Sequence, residues 1–101
     1  MRIKAADSDD VQPMHTVSIK GRDILIVRTA VGLFALENLC PHAQQPLSTG
    51  KAEGTLLTCR HHGVQIDLRT GRVVESMGFL GLQPIFVFAV EETEGSIWID
   101  L

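Results

Sequence analysis

Four residues with metal-ligating side chains fall into two short stretches of this sequence. Cys40-Pro41-His42 offers a thiol and an imidazole one residue apart, and Cys59-Arg60-His61-His62 offers another such pair two residues apart. Together the stretches hold both cysteines of the chain and three of its four histidines. A set of two sulfur and two nitrogen donors suits zinc or an iron–sulfur centre. Spacing distinguishes them, because structural zinc sites usually chelate one ion through C-x2–4-C or H-x3–5-H pairs. A single residue between Cys40 and His42 is tight for that purpose. The arrangement makes more sense if each loop spans two metals, giving its cysteine to one and its histidine to the other.

Such loops need a frame, and the rest of the chain reads as strands. TVSIK (16–20) and DILIVR (23–28) flank Gly21-Arg22 as a hairpin, and LFALE (33–37) follows a second turn near Val31-Gly32. TLLTC (55–59), VQIDL (64–68) and RVVE (72–75) are short apolar or alternating runs, the last two joined by a tight turn at Thr70-Gly71. IFVFAV (85–90) and SIWID (96–100) close the chain around the polar turn EETEG. Short strands with glycine-containing turns at this spacing predict an all-β sandwich or barrel. No segment sustains a helical apolar period for three turns. Two stretches break the rhythm. Residues 38–54 form a long irregular segment rich in Pro, Gln, Ser and Gly, and such loops in compact domains are usually functional or disordered. MGFLGLQP (77–84) is irregular yet apolar. His15 is read as lying in an N-terminal turn with no role in a site.

At 101 residues the chain is expected to be one domain. Its net charge of −3 is unevenly placed: residues 38–78 carry four basic against three acidic side chains, the remainder five against nine. There is no basic stripe, so nucleic acid is not expected as a partner. No apolar run approaches the roughly 18 residues of a membrane span, and the N-terminal MRIKAADSDD has no apolar signal core. A cytoplasmic protein without a membrane partner is the expectation. Two cysteines cannot build a disulfide framework. The sequence presents no general acid–base pair or activated nucleophile, and no GxGxxG fingerprint for a dinucleotide.

The string C-P-H…P-L…G…C-x-x-H-G…D…T-G, running from Cys40 through Pro46-Leu47 and His62-Gly63 to Asp67 and Thr70-Gly71, resembles the Rieske [2Fe–2S] ferredoxins. The motif covers about a third of the chain, with six or more positions matching in order, and in this family two histidines replace two cysteines on one iron. The resemblance implies an all-β fold of three antiparallel sheets with a small cluster-binding subdomain. Residues 1–37 and 79–101 would form a basal sandwich and 38–78 the subdomain. It implies one [2Fe–2S] cluster held by Cys40 and Cys59 on the inner iron and by His42 and His62 on the outer one. His61 competes with His62, and the family's C-x-x-H offset favours His62. Gly63 beside it agrees, since glycine lets backbone amides approach closely.

Neutral imidazoles in place of two thiolates lower the negative charge of such a site, so an added electron meets less repulsion. Within the family, high-potential members carry a disulfide between the cluster loops, where this chain has Gln45 and His61. They also carry Ser and Tyr hydroxyls where it has Val64 and Ile66. Fewer donors imply a low-potential, ferredoxin-type centre. The prolines common in the covering loop are reduced to Pro84, so either Met77, Phe79 or Leu80 supplies the cover, or these three are ordinary core side chains. If exposed, they would form an apolar docking patch rimmed by Arg60.

The resemblance implies a one-electron carrier, not an enzyme in itself. It would pass electrons from a flavin-dependent ferredoxin reductase to the terminal oxygenase of an aromatic-ring dioxygenase system, as a monomer. A small Rieske-type subunit of a nitrite reductase is the alternative within the family. A structural Cys2His2 zinc module is the alternative outside it.

Overall fold

A computed structural model describes residues 1–41 and 45–101. Ten strands and two short 3-10 turns make up its regular structure: β1 (Arg2–Asp7), β2 (Met14–Ile19), β3 (Arg22–Thr29), β4 (Gly32–Glu37), β5 (Lys51–Glu53), β6 (Leu56–Thr58), β7 (Gln65–Asp67), β8 (Val73–Glu75), β9 (Val87–Thr93) and β10 (Ser96–Asp100). The 3-10 turns are Ser8–Asp10 and Leu47–Thr49. The sequence reading missed β1 and β5. A bulge between Lys4 and Ala6 breaks the alternation of β1, and β5 is only three residues long inside the loop-like segment. His15 lies within β2, opposite Ile26 of β3, and not in a turn.

All pairings are antiparallel. β1-β10-β9 and β4-β3-β2 share β9 and run together as a six-stranded strip, while β5-β6-β7-β8 stands apart. The expected three sheets are therefore present, two of them fused. β9 fuses them because its first residues pair with β4, at Phe88 and Val87, and its later residues pair with β10.

β3 explains how the two cores of the molecule are joined. Its central run Ile24–Val27 is buried on both faces, which is why it reads as continuous apolar sequence and not as alternation. Ile24 and Ile26 enter one core with Val11, Ala35, Phe88, Ile97 and Ile99. Leu25 and Val27 enter another with Leu36, Cys40, Leu47, Leu57, Cys59, Val64, Ile66 and Leu68. One strand thus forms a wall common to two cores, and both cysteines sit in the second.

Candidate metal centre

Each cysteine opens a loop at a strand end, and the two loops close alike. The Cys40 N–H donates to the Gln45 carbonyl at 2.8 Å, and the Cys59 N–H donates to the Val64 carbonyl at 2.8 Å. The second loop is tightened further by the Gly63 N–H on the Cys59 carbonyl at 3.1 Å. Gly63 has φ +74°, the left-handed region that a turn after His62 requires.

Three devices hold the loops in place. Leu47, in the second 3-10 turn, is fully buried in the core that holds both cysteines. Gly50 packs against the strand before Cys59 so closely that an added Cβ would collide with the Thr58 carbonyl oxygen. Asn38, the one buried polar side chain among the described residues, ties the loop to β3. Its amide donates to Asp23 Oδ2 at 3.1 Å, its oxygen accepts from the Ser48 N–H at 2.9 Å, and its backbone N–H reaches the Asp23 carbonyl at 3.0 Å. Sequence reasoning passed over Asn38. The available signal was an amide directly after an apolar strand, where an Asn side chain readily replaces backbone pairing.

Cys40 and Cys59 are each 2% exposed and belong to one buried cluster. They are not joined by a disulfide. His62 and its neighbour His61 lie at the surface. The His62 ring meets Phe79 edge-on, with centroids 5.4 Å apart and planes at 79°. His42 lies outside the described residues, and among the described residues no three His, Cys, Asp or Glu side chains converge.

The Asp67…Thr70-Gly71 portion of the motif is a turn. The Asp67 carbonyl accepts from Gly71 N–H at 2.8 Å, and its carboxylate accepts from the Arg69 backbone at 2.8 Å and guanidinium at 3.0 and 3.1 Å. The Arg69 guanidinium holds the Asp67 carboxyl below the usual carboxylate range.

A family profile for the Rieske [2Fe–2S] domain matches residues 1–81. The chain belongs to that family. Membership implies a Rieske-type [2Fe–2S] cluster. A 4β-methylsterol monooxygenase of Methylococcus capsulatus is 47% identical over 62 residues, covering 60% of this chain. This chain spans only 16% of that protein's length. The ferredoxin component of the naphthalene 1,2-dioxygenase/salicylate 5-hydroxylase systems of a Ralstonia species is 31% identical over 74 residues, which is 71% of each chain. Among solved structures, a chain in the complex of reduced oxygenase and oxidised ferredoxin of carbazole 1,9a-dioxygenase superposes with TM-score 0.82 at 28% identity. It covers 97% of this chain and 91% of that one.

The residues present suit a Rieske cluster. Two soft sulfur donors are buried together among apolar side chains, and an imidazole stands at the rim, held by a neighbouring ring. Val64 and Ile66, next to this site, are fully buried and apolar, so neither side chain can donate a hydrogen bond to it. Gln45 and His61 are exposed. The apolar segment 77–84 divides: Phe79 packs against the core that holds the cysteines, whereas Met77 and Leu80 are exposed, Leu80 at 94%.

Proposed function

We propose that this Rieske protein is a one-electron carrier that delivers electrons from a flavin-dependent ferredoxin reductase to a terminal ring-hydroxylating oxygenase in aromatic hydrocarbon catabolism. Cys40 and Cys59 would hold the inner iron, and His42 and His62 the outer one. When bound, the cluster supplies a single reversible one-electron couple. The chain's own part is to fix the donors and keep water from the sulfur side, which Leu47, Leu57, Val64 and Ile66 do by enclosing both cysteines. The absence of hydroxyl donors at Val64 and Ile66 supports a low potential, because donors stabilise the more negative reduced state.

The observation that carries the carrier reading is the likeness to ferredoxin components: 31% identity over 71% of each chain with the Ralstonia ferredoxin, and a TM-score of 0.82 against a chain of the oxygenase–ferredoxin complex. No helix among the described residues is long and apolar enough to cross a membrane. A cytoplasmic monomer, presenting one face to two partners in turn, accords with this reading.

Potentiometric titration followed by EPR of the reduced protein tests the proposal. A Rieske-type signal with a midpoint below zero is expected, toward the lower end of the roughly −150 to +300 mV family range. A midpoint well above zero would sink the ferredoxin-type reading, and a colourless zinc protein would sink electron transfer altogether.

A further inference from the structure

Resting on the cluster reading above, we propose that Phe79 is the positioning residue for His62, fixing the rotation of that imidazole from a loop that contributes no ligand. The contact is built, not incidental. Met77 and Gly78 both take positive φ, +54° and +87°, and the Phe79 N–H closes the turn on the Ser76 carbonyl at 3.1 Å. The reversed chain brings the Phe79 ring edge-on to His62, 5.4 Å between centroids. From the same turn, the Met77 side chain lies over Gly63, with Cε, Cγ and Sδ 3.5, 3.8 and 3.9 Å from where a Cβ would stand. Residues 62 and 63 are thus both clasped by 76–79.

Phe79 can transmit order to the ring because its side chain also packs on the core that contains Cys40 and Cys59. The buried donors and the exposed donor are thereby referred to one rigid body. An edge-to-face pair prefers a defined interplanar angle, and contacts that orient a ligand tune the metal it binds. His62 is at the surface, where an imidazole without such a neighbour samples several rotations.

The test compares the parent protein with Phe79→Leu, Phe79→Ala and Phe79→Tyr, each loaded with its cluster. Phe79→Leu keeps most of the apolar bulk and removes the ring. We expect it to broaden the EPR lines of the reduced protein and to release iron to a chelator roughly 10-fold faster, the low end of what ligand-supporting contacts provide. Its melting temperature should stay near that of the parent, and Phe79→Tyr should restore the narrow spectrum. Phe79→Ala should also raise the midpoint, as water reaches the site and stabilises its more negative reduced state. If Phe79→Ala does not fold, the leucine variant decides alone. A leucine variant with the parent's spectrum and iron release would overturn the positioning role and leave the electron-carrier reading standing. A parent protein without any Rieske-type signal would overturn both.

Discussion

His61 and His62 are adjacent and both exposed, yet only one of them has a ring partner among the described contacts, Phe79 against His62. The proposed ligand set therefore predicts opposite outcomes for neighbouring substitutions. His61→Ala should retain two irons per chain and the parent visible spectrum, whereas His62→Ala should lose the cluster; iron analysis and absorbance check both. Asn38 acts at the same scale by a different route. Its side chain satisfies Asp23 and the Ser48 N–H in a buried place. Asn38→Ala removes these bonds and leaves a buried donor unpaired, which should cost about 1–3 kcal/mol in denaturant unfolding. Iron retention should fall as well, because the Asn38 network holds the loop that begins at Cys40.

Among the elements, an ion pair adds to the sheet pairing that ties β9 to the β2–β4 half of the strip. Arg28, at the end of β3, donates to both carboxylate oxygens of Glu92 on β9, at 3.0 and 2.8 Å. The same guanidinium reaches the Val11 and Ser8 carbonyls, each at 3.3 Å. The Arg28 guanidinium pulls the Glu92 carboxyl from 4.5 down to about 2. A carboxylate depressed in the folded state stabilises the fold above its unfolded pKa, and that contribution fades as pH falls through its folded pKa. The stabilisation from Glu92 should be complete above about pH 4.5 and be lost towards pH 2. Glu92→Gln should flatten the fall in stability across that window, measured by denaturant titrations at several pH values. Asp67, likewise depressed by Arg69, should leave part of the slope in place.

For the molecule as a whole, charge and shape act together. The extents are 42 × 28 × 19 Å, and the acidic excess lies outside residues 38–78, which carry one more basic than acidic side chain. Arg60 is exposed between Cys59 and His61. On the carrier reading it would meet an acidic partner surface as the protein docks. Arg60→Glu should slow electron delivery to the oxygenase about ten-fold at low ionic strength, and added salt should shrink the difference. The visible spectrum should not change, because Arg60 is not proposed as a ligand. Stopped-flow reduction of the oxygenase at two salt concentrations measures this directly.

The sequence by itself determined the fold class and the donor types of the proposed ligand set. Ligand identity depends on residue type and local offset, and C-x-H with C-x-x-H is visible without coordinates. Most strands were visible too, since β3, β4 and β10 bury enough apolar surface to impose their patterns. Weaker elements escaped for local reasons: a bulge disrupts β1, and β5, Lys-Ala-Glu, has a single alanine between two charged residues. Only the tertiary structure decided which side chains support the site. Burial of β3 on both faces, the Asn38 network and the separate fates of Phe79 and Leu80 all depend on partners far apart in sequence. A one-dimensional pattern records that 77–84 is apolar, but which of its side chains turn inward is set by backbone reversal at Met77 and Gly78.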